Sequence, residues 1–437
     1  MDLNSSLSSN TIPVVSTLTK PTEDAKSSPT SSSEVHKPIS YWPGVYHSPV
    51  TDALWDERVS INERLFDIPD DAPPPTELLT RTPSESRTTI VYAFSSDSTL
   101  REQYKDPWNE FRIGKLLEDL DAWLAHHFQD DDITTRPLML VTASVDRIVL
   151  KKPISVDKDL KISGSIIWVG RSSIEIQMEV ITQGEGPNDS ESVALTANFI
   201  FVARDYKTNK AAQVNRLTPE TEQEKILYDG AEARDKVRKM KRGEDKKQSD
   251  KSGVNRLETL LSEGRIFCDM PALADRDSIL LRDTRLENAL ICHPQQRNLH
   301  GRIFGGFLMH RAFELAFPTA YAFAGIVPSF LEVDRVDFYK PVDVGDFLRF
   351  KSCVLYTEHD NPDQPLIYVE VVAHVTRPEM RSSVVSNTFY FTFTVRPEAK
   401  ATKNGFRLRN VVPATEEEAR RVLERMDAEA LQRSQSI

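Results

Sequence analysis

Two stretches of this chain repeat one another at a distance of 188 residues (333 − 145). Val145-Asp-Arg-Ile-Val-Leu-Lys-Lys-Pro153 pairs with Val333-Asp-Arg-Val-Asp-Phe-Tyr-Lys-Pro341, sharing Val-Asp-Arg and a Lys-Pro at the same spacing. A second pairing, Thr196-Ala-Asn-Phe199 with Ser386-Asn-Thr-Phe389, falls at 190 (386 − 196). The helices ahead of these strands align at 192 (306 − 114), with the difference absorbed in the Gln129–Asp132 loop. A whole unit of helix plus strands therefore occurs twice. At 437 residues the chain has room for two to three domains, each with its own core.

Element by element, the two copies read alike. In the first, Thr88–Phe94 reads as a strand. Residues 112–125 place Ile113, Leu116, Leu117, Leu120, Trp123 and Leu124 on one helix face. Strand patterns follow near 138–151, 157–168, 171–183 and 191–204. In the second copy Thr284–Cys292 is a strand, 307–316 a helix, and strands lie near 329–341, 346–357, 365–376 and 382–395. One long helix with an antiparallel sheet able to wrap it, given twice, is an α+β class built as two hotdog repeats forming an internal pseudo-dimer. The expected segments are an irregular or disordered 1–87, a first repeat over 88–205, a charged linker over 206–275, a second repeat over 276–396, and a tail over 397–437. The linker holds the mixed-charge run Lys236–Lys251, read as a solvated linker or exposed helix because no aromatics interleave it. In the tail, Thr415 and Glu418 form a capping-box pattern for a helix with no sheet of its own.

What the copies do not share points to chemistry. Asn298 aligns with Asp106, Gly305–Gly306 with Ile113–Gly114, and Asp121 with Phe313. The glycine pair lets backbone approach something closely, and the helix that starts there offers unpaired N–H groups to a carbonyl oxygen gaining charge. Asp119 and Asp121 lie on opposite flanks of their helix's apolar stripe, and periodicity does not choose between them. A solvated flank is the plain reading for both. Glu118 points away from that stripe, and Glu314 reads as a solvated surface carboxylate.

At these residues the chain resembles the acyl-CoA thioesterase 9-like family of double-hotdog enzymes, over roughly 88–395. It is similar, more distantly, to the brain-type cytosolic acyl-CoA thioesterase. The likeness is strongest in His293-Pro294 with Asn298–Met309, and in Arg112–Asp121; the loop Tyr104–Asn109 departs from it by lacking the asparagine pattern. The resemblance implies a thioester hydrolase acting on fatty acyl-CoA at one composite site, with Asn298 and Asp121 facing each other as the catalytic pair. Gly305 and Gly306 would meet the thioester carbonyl. Arg147, Lys151, Lys152, Arg335 and Lys340 are the candidates for the CoA phosphates. It further implies no metal or organic cofactor beyond coenzyme A in the substrate, a homo-oligomer of pseudo-dimers, and a mitochondrial location, with the cytoplasm as the alternative.

Two other readings compete. A hotdog hydratase or dehydratase would want an Asp and a His together at the helix start, or a His facing a Glu across the dimer; His300 and His310 sit in no Asp-x4-His arrangement. A non-catalytic acyl-CoA-binding protein would bind without needing Asp121. The missing Gly-x-Ser-x-Gly elbow argues against a Ser/His/Asp hydrolase.

Composition narrows the partners. The net charge of −11 gives no general attraction to nucleic acid or anionic membrane. No apolar run approaches the ~20 residues that span a bilayer. Cys268, Cys292 and Cys353 have no CxxC spacing, which argues against a zinc site or disulfide framework; all three read as buried thiols. The Ser/Thr-rich start has acids and no arginine before Arg58, unlike a transit peptide.

Overall fold

The computed structural model describes residues 78–127, 138–182, 191–205, 208, 210–244, 251–297, 302–338, 340–396, 400–401 and 406–435. All of them belong to one compact unit, Pro43–Ile437. The expected irregular lead-in therefore lies, up to residue 77, outside the described residues.

The first half runs β1 (Thr80–Arg81), β2 (Thr88–Tyr92), α1 (Ser98–Tyr104), α2 (Ile113–His127), β3 (Leu138–Val145), β4 (Ile148–Leu150), β5 (Leu160–Val169), β6 (Ser173–Thr182), β7 (Ser192–Asp205), β8 (Arg216–Leu217) and α3 (Glu222–Glu244). The second runs α4 (Lys251–Asp269), β9 (Ser278–Leu280), β10 (Leu286–Ile291), α5 (Gly305–Ala324), β11 (Pro328–Val333), β12 (Val336–Asp337), β13 (Phe347–Glu358), β14 (Leu366–Arg377), β15 (Ser382–Val395), β16 (Asn410–Val412) and α6 (Glu416–Gln435). This is the double hotdog arrangement.

The two sheets are continuous. Their strands follow the order β10-β13-β14-β15-β11-β4-β7-β6-β5-β2, with β3 pairing β7 and β12. At the seam Val333 faces Ile148 and Glu332 faces Val149, while Val336 faces Val145 and Asp337 faces Ser144. The repeated motifs are themselves this seam, each copy pairing with the other. Long strands such as β7 and β15 form because their apolar residues alternate onto the face that α2 and α5 cover. Phe199, Phe201, Phe389, Phe391 and Phe393 are fully buried there, against Leu116, Leu117 and Leu120 of α2 and Leu308, Ala312 and Ala316 of α5. Each large side chain so buried contributes about 1.5–3 kcal/mol. At the end of α5, Gly325 takes φ 65°, the left-handed turn that closes a helix.

The repeat is longer than its helix and strands. In the segment expected as a charged linker, α3 docks on the first sheet: Arg234 pairs with Glu175 at 2.5 Å, and Arg238 with Glu175 at 3.0 Å and Asp146 at 3.2 Å. In the tail, α6 does the same on the second sheet, Arg421 on Glu370 and Arg425 on Asp334. Both arginine pairs are offset by 187 (421 − 234 and 425 − 238). Within the mixed-charge run, Lys236 and Lys239 are exposed, whereas Arg238 neutralises buried carboxylates. The tail is not without a strand either, since β16 pairs β9 in parallel, as β8 pairs β1 in the first half. Thr415 accepts the Glu418 N–H at 3.2 Å, but the Glu418 side chain reaches back to Ala414 rather than to Thr415.

Two sequence expectations need correction. Val145 faces Phe199 while Val333 faces Phe391, so the last strands match at 192 (391 − 199) and not 190. A two-residue slip keeps every side chain on its face, so alternation cannot detect it. Cys268 is exposed; only Cys292 and Cys353 are buried. No described helix is long and apolar enough to cross a membrane.

Candidate active site

The two central helices cross antiparallel at their small residues. A β-carbon built on Gly114 would lie 2.9 Å from the His310 ring and 3.0 Å from the Phe313 ring. One built on Gly306 would lie 2.7 Å from Cβ of Asp121 and 2.8 Å from the Glu118 carbonyl. Gly305 is similarly tight, at 2.9 Å from the Phe338 ring and 3.3 Å from Oδ2 of Asp121. These glycines let α2 and α5 touch, and the contact brings the expected acid to the start of α5.

Asp121 is 2 % exposed. Its Oδ2 accepts the Gly306 N–H at 2.6 Å, and its Oδ1 accepts the Thr142 hydroxyl at 2.9 Å. Burial pushes its carboxyl up to about 6 even though both hydrogen bonds favour the charged form. Gly306, expected to meet a substrate carbonyl, has its N–H engaged by this carboxylate. An N–H at a helix start suits any anion, and the one that Gly306 meets in this structure is Asp121.

The other acids separate cleanly. Asp119, 1 % exposed, accepts hydrogen bonds from Tyr92 at 3.0 Å and from Tyr104, with Lys115 at 3.5 Å. It is held inside its own repeat. Burial raises its pKa, while the pull of Lys115 works the other way. Glu118 does not point away: its Oε2 meets Nδ1 of His310 at 2.5 Å across the helix pair. Glu314 is not simply solvated. It is bound by Arg112 at 3.0 Å and by Nε2 of His310 at 3.1 Å, and the His310 hydrogen bond foremost holds its carboxyl down at about 2. Burial disfavours charge on His310, but these two carboxylates outweigh it and raise its pKa.

Asn298 lies outside the described residues. Its loop is clasped by a bridge between Arg297 and Ile303, the counterpart of one between Lys105 and Phe111 at an offset of 192 (297 − 105). In the first copy Asp106 spends Oδ1 on its own loop, accepting the N–H groups of Trp108 at 2.9 Å and Glu110 at 2.7 Å.

Among the described residues, two of the five CoA candidates are already paired with carboxylates and three are not. Arg147 pairs with Glu332 and Arg335 with Asp337 at 2.7 Å, while Lys151, Lys152 and Lys340 are exposed. Lys152 and Lys340 occupy equivalent places in the two halves, at an offset of 188 (340 − 152).

Thr142 escaped the sequence reading. It sits in the apolar strand β3, where a hydroxyl looks like a tolerated polar residue. The signal was available: its counterpart at 188 (330 − 142) is Phe330, another unshared position. Both strands carry the same irregularity after this residue, which fixes the equivalence. The pair Asp121–Thr142 in one half thus corresponds to Phe313–Phe330 in the other, edge-to-face rings with centroids 5.5 Å apart.

No family model matches the chain. It is 73 % identical over 436 residues to acyl-coenzyme A thioesterase 2, chloroplastic, of Humulus lupulus, covering 98 % of this chain and 100 % of that one. It is 32 % identical over 354 residues to acyl-coenzyme A thioesterase 9, mitochondrial, of Homo sapiens, covering 78 % of this chain and 77 % of that one. A solved acyl-CoA hydrolase from Staphylococcus aureus aligns with 38 % of this chain and 93 % of its own, at 24 % identity and a TM-score of 0.32. With full-length relatives this similar and the repeat architecture in place, the chain belongs to the acyl-CoA thioesterase family that includes acyl-coenzyme A thioesterase 9.

Proposed function

We propose that the chain hydrolyses fatty acyl-CoA to free acid and coenzyme A at a single composite site, with Asp121 from the first repeat and Asn298 from the second. The observation that carries this is the 2.6 Å hydrogen bond from Gly306 to Asp121, which holds a buried carboxylate of the first repeat at the start of a helix of the second. Asp121 takes a proton from water, whose oxygen adds to the thioester carbonyl. The C–S bond then breaks, and the CoA sulfur leaves with the proton. Gly305 N–H meets the carbonyl oxygen, Gly306 N–H being committed to the acid. Asn298 orients the water or polarises the thioester. No metal or organic cofactor enters these steps, and activity should survive dialysis against a chelator.

Thiol release measured over acyl-CoAs from acetyl to palmitoyl, with Asp121→Asn and Asn298→Ala beside the parent chain, tests the reading. Full activity in either variant would sink it. A single turnover in ¹⁸O-water separates the general-base route from attack by Asp121 through an anhydride, which would leave the label in the protein.

One observation favours a second reading. His310 faces Glu118 across the helix pair, as a hotdog hydratase would require. Both ring nitrogens of His310 are bound to carboxylates, however, so neither is available to take a substrate proton. Incubation with a 2-enoyl-CoA would show loss of the conjugated absorbance if the hydratase reading held; we expect thiol release alone. A merely acyl-CoA-binding protein would bind but never release thiol.

The chloroplastic and mitochondrial names of the relatives support an organellar location, to be tested by fractionating cells expressing the tagged full chain. Assembly into a homo-oligomer is read out by sedimentation. Of the phosphate candidates, the exposed Lys151, Lys152 and Lys340 have no ion pair to a described residue and remain the ones to substitute.

A further inference from the structure

The structure holds a cavity of about 700 Å³ where symmetry would put a second active site. It is lined by the first-copy loop at Asp106–Glu110, by the start of α2 at Ile113–Gly114, and by Phe313, Phe317 and Phe330. The loop, Gly114 and the Phe313–Phe330 pair each have a counterpart in the other half. The loop clasped at Lys105 and Phe111 answers to the one clasped at Arg297 and Ile303. Gly114 answers to Gly306, and Phe313–Phe330 to Asp121–Thr142. What differs is the chemistry. The acid and its hydroxyl partner have become two aromatic rings, and the carboxylate standing for Asn298 binds its own loop through Oδ1 and lies 3.8 Å from Arg396 through Oδ2.

Shape and access have survived where the reacting groups have not. Trp108 adds a ring against Phe317, with centroids 5.6 Å apart, and is itself 38 % exposed. The volume falls within the ~300–1,000 Å³ typical of small-molecule pockets, which are apolar with few polar groups. Four acidic residues (Glu102, Asp106, Glu110, Glu314) line it against three basic ones (Lys105, Arg112, Arg396). That balance repels the phosphates of a nucleotide carrier; Arg112 already pairs with Glu314 at 3.0 Å and Arg396 with Glu110 at 2.7 Å, so a single ligand carboxylate would have to take one of these arginines over from its lining acid.

We infer that this cavity is a second, non-hydrolytic site that takes the aliphatic chain of a free fatty acid. The assignment rests on the composite-site reading, since only that makes the cavity the spent counterpart of a working one. A linear chain occupies aromatic walls without needing a nucleophile, and the missing carboxylate leaves nothing to turn over a thioester. Product acid released at one end of the helix pair would thus be held at the other.

Calorimetric titration of the full chain tests it, with two probes: decanoate, and decyl-CoA in which a thioether replaces the thioester. We expect decanoate to bind with one equivalent per chain while saturating thioether is present, and to quench part of the tryptophan emission. Phe330→Trp, which fills the cavity, should abolish decanoate binding and leave thiol release unchanged. Should that variant fail to fold, Trp108→Ala removes only a half-exposed wall and should weaken decanoate about tenfold with hydrolysis intact. Decanoate displaced one-for-one by the thioether, or retained at full affinity in the folded variants, overturns the inference. So does a second equivalent of the thioether in place of the acid, which would make the ligand the CoA ester. If the parent chain releases no thiol, the composite-site reading fails first, whatever decanoate does.

Discussion

Gly306 and Asp121 touch with no room between them: a β-carbon on the glycine would sit 2.7 Å from the one on the aspartate. Most of the obstruction is backbone and Cβ, which cannot swing aside. Gly306→Ala should therefore push α5 away from α2 and stretch the 2.6 Å bond to the carboxylate. Overpacking of this kind costs about 1–3 kcal/mol. We expect a lower melting temperature together with at least a tenfold loss in kcat. A variant that melts lower but keeps its full rate would show that this contact serves only the fold.

Asp121→Asn separates function from stability in the opposite sense. General-base assistance is worth about 10²–10⁴ in rate, and the amide cannot supply it. Yet the amide can keep its oxygen on the Gly306 N–H and donate from its NH2 to the Thr142 hydroxyl oxygen, without the cost of burying a charge. The carboxyl rises from 3.8 to about 6 on folding, and at about 1.4 kcal/mol per unit its ionisation costs the folded state about 3 kcal/mol at neutral pH. The folded pKa lies above the unfolded one, so this cost is absent below pH 3.8, grows between there and 6, and is complete above. The dead enzyme should be the more stable one at pH 7–8, and the gap should close near pH 4. Urea unfolding at the two pH values reads this directly.

The same carboxyl should shape the pH profile. The base must be ionised, so kcat/KM should climb tenfold per unit below about 6 and level off above it. Asp121→Glu, if active, should move the inflection; a profile flat from pH 5 to 8 would argue that another group takes the proton.

Much of this was legible in the sequence, and the reason is duplication. A chain compared with its own copy shows which positions changed, and Asp121 stood out because Phe313 occupies its place. Thr142 met the same criterion but was hidden by an apolar strand, where a threonine looks ordinary. The cross-helix partners could not be read. Periodicity describes one helix against its own sheet, whereas Glu118 finds His310 only because two helices cross at their glycines. Charge patterning was blind in the same way to the individual arginines that are buried. The arginines of α3 and α6 look solvated until the carboxylates they cover, distant in sequence, are known.

Those arginines are testable. Arg425 is 3 % exposed and pairs with both Asp334 and Glu429. Arg425→Met leaves two buried carboxylates uncompensated, a loss of about 3–5 kcal/mol. Arg256→Met, half-exposed and paired with the exposed Asp427, should cost under about 1 kcal/mol. Equal losses at the two sites would contradict the docking role assigned to α6.

Glu118 and His310 occupy equivalent positions, 192 apart (310 − 118), and meet where one helix crosses the other. In an assembly of two identical chains such a position confronts itself, and an acid would face an acid at hydrogen-bonding distance. Fusion of the copies removed that constraint and let the two sides become complementary. The halves are now a matched pair in the manner of a heterodimer. Separated between α3 and α4, each should seek the other half and reject its own kind.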